Sequence, residues 1–96
     1  MSKNTYTLIT GATSGIGYCL AQEFAARGNN LLLASRNQNK MQEIKKDFER
    51  KYNIRVETYA VDLAKPESPE KLYQYCQENK LAIEILVNNS GLGLAA

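Results

Sequence analysis

The sequence predicts an α/β fold, a doubly wound parallel sheet with helices on both faces, and three observations carry that expectation. Short β-branched or apolar runs alternate with segments of helical period. Three glycines stand where the first of those runs gives way to the first helical segment. No internal repeat, low-complexity tract or linker breaks the alternation, and at ~100–200 residues per domain, residues 1–96 read as a single small domain or a part of one.

Tyr6-Thr7-Leu8-Ile9-Thr10 alternates, is β-branched and ends at Gly11, which predicts a short strand. From Gly15 the period changes. Ile16, Leu20 and Phe24 recur every fourth residue with Cys19 beside them, and Gly28 stops the run, so a helix with those side chains in the core is expected. Leu31-Leu32-Leu33-Ala34 is continuous and apolar, as a strand covered on both faces should be. A polar helix follows, with Met41, Ile44 and Phe48 as its buried stripe.

Ile54 to Val61 alternates, with Ile54, Val56, Thr58 and Ala60 on one face, and predicts a third strand. Ser68-Pro69-Glu70 is a helix start: Ser68 can cap, proline has the φ of a first helical position, and Glu70 meets the positive end of the dipole. Leu72, Tyr75 and Cys76 form that helix's inner face. Ile83 to Val87 makes a fourth strand, giving the order β-α-β-α-β-α-β with right-handed crossovers.

Composition removes several function classes. A net charge of +2, with the basic residues interspersed among acids, does not suggest a nucleic-acid partner. The longest nearly apolar stretch, Leu81 to Val87, is far below the ~20 residues that span a bilayer, and the first residues do not resemble a signal peptide. With no histidine and two cysteines at unrelated positions, neither a zinc site nor a Ser-His-Asp triad is expected, and no metal site. Free thiols suit a reducing, cytoplasmic setting.

The informative segment is Thr10-Gly11-Ala12-Thr13-Ser14-Gly15-Ile16-Gly17, at the turn from first strand to first helix. Gly11 permits the tight turn, Gly15 lets backbone approach a bulky anion, and Gly17 allows the helix to pack closely on the strand. The first-turn N–H groups then face a pyrophosphate, with hydroxyls from Thr13 and Ser14 to help. The plain alternative is a glycine-rich turn without a ligand. No lysine follows the glycines as a nucleoside-triphosphate loop requires.

This segment resembles the T-G-x-x-x-G-x-G motif of the short-chain dehydrogenase/reductase family, matched from Thr10 to Gly17. Asp62-Leu63 after the third strand is similar to the family's pair at the adenine ring. Asn88-Asn89-Ser90-Gly91 is similar to its N-N-A-G, with Ser90 in place of alanine. The resemblance implies a Rossmann-like fold, here its N-terminal half, truncated before the catalytic segment. It implies that Gly11, Thr13, Ser14, Gly15, Ile16 and Gly17, with Asp62, Leu63, Asn88, Asn89, Ser90 and Gly91, line the cofactor, one of the two asparagines also steadying the sheet beside the glycine turn. For Asp62 the plain alternative is a carboxylate that caps a turn.

Cofactor choice belongs to the end of the second strand. An acid there suits the ribose 2′-OH of NAD, and a cation suits the 2′-phosphate of NADP. The chain has Ser35-Arg36, and its nearest downstream acid is Glu43, inside the next helix. A guanidinium fork and a hydroxyl favour NADP(H) over NAD(H); an exposed loop arginine is the plain alternative.

The family's reaction is hydride exchange between a nicotinamide and a carbonyl or alcohol substrate, using Ser, Tyr and a Lys four residues after the Tyr. None of the six tyrosines has a lysine four residues on. No catalytic residue is therefore assigned, and the 96-residue chain is expected to be inactive alone. The leading expectation is the cofactor-binding half of an NADP(H)-dependent oxidoreductase; the alternative is a non-catalytic dinucleotide-binding or interaction module. The fourth strand is expected to present an open apolar edge, making the isolated chain marginal or self-associating as a homo-oligomer.

Overall fold

The structure, a computed structural model, describes residues 5–13 and 15–88. Strands β1 (Thr5–Thr10), β2 (Asn30–Ser35), β3 (Val56–Ala60) and β4 (Ala82–Asn88) alternate with helices α1 (Gly15–Ala26), α2 (Gln38–Tyr52) and α3 (Ser68–Glu78). The strands form one sheet in the order β3-β2-β1-β4, and every pairing is parallel. The chain steps one way across the sheet from β1 to β3, then reverses and passes β1 to reach β4. Right-handed connections in opposite directions put their helices on opposite faces.

Side chains alternate across the sheet accordingly. Ile9, Leu31, Leu33 and Val56 form one core with Ala21 and Ala25 of α1 and with Met41, Ile44 and Phe48 of α2. Tyr6, Leu8, Leu32 and Ala34 form the other, with Leu72 and Cys76 of α3. The residues of β2 from Leu31 to Ala34 are fully buried on both faces, as their unbroken apolar run requires.

Helix α1 corrects the expected stripe. Its buried residues are Gly17, Ala21 and Ala25. Ile16 is 70% exposed, Cys19 is exposed, and Leu20 and Phe24 are only half-buried. The large side chains repeat with the right period but lie one position off the contact row. A Gly-Ala-Ala row brings the helix backbone close to the sheet, which leaves the bulky row beside it on the flank.

Helix α2 follows expectation. Asn37 caps it by accepting from the Lys40 N–H at 3.0 Å, and Asn53 ends it in the left-handed region at φ 57. A bracket then ties α2 to β3. Glu49 accepts from the Val56 N–H at 3.0 Å, and the Lys45 ammonium donates to the Val56 carbonyl and to Glu49. Burial pushes the Glu49 carboxyl up, but the Val56 N–H and Lys45 outweigh it and hold the group below its ordinary 4.5.

Helix α3 begins at Ser68 with proline next, but Ser68 does not cap it. Its hydroxyl donates instead to the Asp62 carbonyl, so the serine fastens the preceding loop. Of the third strand's expected face, Ile54 and Val56 reach the core, Thr58 is half-buried and Ala60 is exposed.

Among the described residues, strand β4 pairs with β1 alone. Tyr6 lies opposite Ile83 and Thr7 opposite Ile85, so the register passes over Glu84 in a bulge-like shift. That slip keeps a charged residue out of the pairing and restores Leu86 and Val87 to opposite faces. Val87 packs against the α1/α2 core, whereas Ile83 and Leu86, the latter 61% exposed, face a groove of about 1270 Å³ beside α3.

Candidate cofactor site

All four strands point the same way, so their carboxyl ends gather at one edge of the sheet. Because the chain reverses after β3, the carboxyl ends of β1 and β4 lie side by side where the strand order changes direction, which is where open α/β sheets hold ligands. Thr10 and Asn88 end the two strands, and the Thr10 hydroxyl donates to Asn88 Oδ1 at 3.1 Å. That bond fastens β4 to the strand that feeds the glycine turn.

The turn is built as the glycine spacing requires. Gly11 has φ 65 and its N–H bonds the Ala34 carbonyl at 3.1 Å, which draws the turn over the end of β2. Gly15 opens α1 at φ 58, and a Cβ placed on it would meet nothing within 4 Å. Its open side therefore gives onto free space at the start of a helix whose first turn carries no acid. The first-turn N–H groups of a helix have no helical partners, so a helix start of this kind favours an anion. Gly17 is buried on the sheet side, and Ile16 is exposed beside it.

Thr13 carries the turn across to β2, with its hydroxyl 3.5 Å from that of Ser35. The Ser35 hydroxyl also accepts from the Asn37 N–H at 3.2 Å, and its carbonyl accepts from the Val61 N–H at 2.8 Å. Ser35 is thus fixed from three sides, and Arg36 projects next to it, exposed. None of the ion pairs among the described residues includes Arg36.

Asp62 and Leu63 follow β3 and are half-buried. Asp62 Oδ1 accepts from the Ala64 N–H at 3.0 Å, and its carbonyl accepts from Lys65 and Ser68. The carboxylate therefore does cap a turn, in a loop fastened at both ends. Leu63 packs against the α3 core. Ser14, Asn89, Ser90 and Gly91 lie outside the described residues.

Two features of this site go beyond the sequence expectations. Asn37 joins Ser35 to the start of α2; an asparagine directly before a helical run was the available signal. Lys40 lines a cleft with Thr13 and Gly15. Among the described residues no group of three His, Cys, Asp or Glu could hold a metal, and no helix is long and apolar enough to cross a membrane. Burial pushes the Cys76 thiol up, the opposite of what an activated thiolate needs.

The family model described as short chain dehydrogenase matches residues 5–96. The chain belongs to that family. It is 43% identical over 93 residues to a very-long-chain 3-oxoacyl-CoA reductase of Vanderwaltozyma polyspora, covering 94% of this chain and 26% of that one. A very-long-chain 3-oxoacyl-CoA reductase of Caenorhabditis briggsae is 45% identical over 91 residues, 92% of this chain and 28% of its own length. The chain thus spans about a quarter of the curated relatives it matches.

Among solved family structures, L-sorbose reductase from Gluconobacter frateurii, complexed with NADPH and L-sorbose, superposes with a TM-score of 0.84 at 34% identity. It is matched over 90% of this chain and 33% of its own. A short-chain dehydrogenase from Sphingobium yanoikuyae in complex with NADPH gives a TM-score of 0.81 at 33% identity, over 91% and 34% of the two chains. The family is one of oxidoreductases that bind a nicotinamide dinucleotide, and the four-stranded parallel sheet is its Rossmann-like fold.

Proposed function

We propose that this chain is the cofactor-binding segment of an NADP(H)-dependent oxidoreductase. The protein it represents exchanges hydride between the nicotinamide and a carbonyl or alcohol. The observation that carries the cofactor choice is the end of β2. There Ser35 is immobilised by Thr13 and Asn37, and Arg36 stands exposed beside it with no ion pair among the described residues. A carboxylate at this place would repel a 2′-phosphate; a guanidinium fork can bind it bidentately. NADPH in the sorbose reductase and the Sphingobium enzyme supports the same choice.

The chain's own groups then divide the cofactor between them. The start of α1, opened by Gly15, takes the pyrophosphate, and Ser35 and Arg36 take the 2′-phosphate. Asp62 and Leu63 flank the adenine, and the segment from Asn88 to Gly91 follows the ribose. The bound nicotinamide supplies or accepts the hydride, and the groups that move the proton belong to a Tyr-x-x-x-Lys pair this chain does not carry. The names of the relatives support a 3-oxoacyl thioester as the carbonyl substrate of the whole protein. Alone, the chain binds nucleotide and does not turn over.

Fluorescence titration with NADPH and, separately, NADH tests the reading. The chain should prefer NADPH at least tenfold, equivalent to about 1.4 kcal/mol. Arg36→Gln should remove most of that preference while leaving NADH affinity in place. Equal affinity for the two nucleotides would refute the NADP(H) assignment.

A further inference from the structure

We infer that Ser68 is a positioning residue for the adenine of the cofactor, acting through Asp62; the inference rests on the placement of adenine against Asp62 and Leu63 proposed above. Serine followed by proline and glutamate is the arrangement that caps a helix, yet α3 has no side-chain cap. The Ser68 hydroxyl donates to the Asp62 carbonyl instead. Ser68 is only 3% exposed, so this buried hydroxyl is committed to a residue six positions back rather than to its own helix or to water.

The bonds of this loop close a ring. The Lys65 N–H donates to the Asp62 carbonyl at 3.1 Å, the Ser68 N–H donates to the Lys65 carbonyl at 3.1 Å, and the Ser68 hydroxyl returns to Asp62. Upstream, the Val61 N–H is held by the Ser35 carbonyl at 2.8 Å. Asp62 therefore lies between two anchors, one at the end of β2 and one at the start of α3. Pro69 stiffens the chain directly beyond the second anchor.

The carboxylate itself is less committed than the backbone that carries it. Asp62 Oδ1 accepts from the Ala64 N–H at 3.0 Å. Among the described residues no ion pair includes Asp62, and Oδ2 has no hydrogen-bond partner. The group therefore retains room for an external donor, and the 6-amino group of adenine is a donor of that kind. Without the Ser68 hydroxyl the Asp62 carbonyl is left to Lys65 alone. The carboxylate must then be ordered when the nucleotide arrives, and ordering costs affinity.

The test is a fluorescence titration of the 96-residue chain, Ser68→Ala and Ser68→Thr. Three nucleotides are used: NADPH, NADH and deamino-NADPH, whose hypoxanthine carries a carbonyl in place of the 6-amino group. The unsubstituted chain should bind NADPH about three- to tenfold more tightly than the deamino analogue. Ser68→Ala should weaken NADPH and NADH by about that factor and change the analogue less than about twofold, which erases the discrimination. Ser68→Thr, which keeps the hydroxyl, should retain it. If Ser68→Ala lowers all three affinities by one factor, leaves all three alone, or is unfolded by circular dichroism, Ser68 serves the fold only and the inference is overturned. If the unsubstituted chain binds NADPH and the analogue alike, or neither, the placement of adenine falls and takes this inference with it. Equal affinity for NADPH and NADH refutes the NADP(H) assignment alone, and Ser68 is still judged by the analogue.

Discussion

The two faces of the sheet are finished to different degrees. On one, α1 and α2 close over Ile9, Leu31, Leu33 and Val56, and Phe48 sits at the centre, fully buried between Tyr18 and Tyr52. On the other, α3 covers only the part of the sheet over Tyr6, Leu8, Leu32 and Ala34, and the floor of the groove beyond it includes Ile83 and Leu86. Alternation gives both faces apolar side chains, but only helices decide which are removed from water. Stability in the described residues therefore resides with α1 and α2.

Phe48→Ala should cost about 3–5 kcal/mol, since it deletes a fully buried ring on the closed face. For a chain of this size that is enough to unfold most of it, and urea titration followed by circular dichroism would show the loss. A value near that of a surface substitution would mean the closed face is not the folding core.

Tyr75 offers a middle-sized test on the other face. It stacks on Tyr59 at 4.5 Å between centroids and donates to Glu57 at 3.2 Å and to the Thr58 carbonyl at 3.3 Å. Burial, and then the Glu57 charge, raise its pKa from 10.0 to about 12. The folded state thus favours the neutral phenol. Its contribution is complete below pH 10 and declines as pH rises toward 12. Tyr75→Phe should cost about 0.5–1.5 kcal/mol near neutrality and make the alkaline loss of the urea midpoint shallower. An unchanged alkaline limb would remove Tyr75 from that account.

Leu86→Lys should have the smallest effect, within about 0.5 kcal/mol, because the side chain already meets solvent. The same substitution should lower any concentration-dependent self-association measured by sedimentation. Should it destabilise the chain as strongly as Phe48→Ala, the groove is filled in solution and the contrast between the faces disappears.

The contrast also marks how far the sequence can be read. Element order, parallel pairing and the α2 stripe follow from local patterns, because Met41, Ile44 and Phe48 are both periodic and apolar among polar neighbours. The α1 contact row lies one position from the periodic one because period alone cannot separate two adjacent rows. Glycine and alanine carry little hydrophobic signal, yet they win the contact because they are small. Ser68 looked like a cap because capping is chosen by neighbours in sequence, whereas its hydroxyl went to Asp62, six residues back. At the site, Gly11, Gly15 and the Ser35-Arg36 pair were legible from turn chemistry and charge. The contacts that fix Ser35, through Thr13 and Val61, join residues more than twenty apart and have no sequence signature.

The reversal after β3 has a consequence for chirality. Among the described residues, β4 is paired on one side only, and its far side is a row of backbone donors and acceptors. Suppose a further parallel strand were laid along that row, joined to β4 by a connection of the same hand as the others. Travelling in the direction of the β3-to-β4 step, that connection must cross on the face that holds α3. It would come to rest over Ile83 and Leu86, and the groove would become the bed of a helix lying alongside α3.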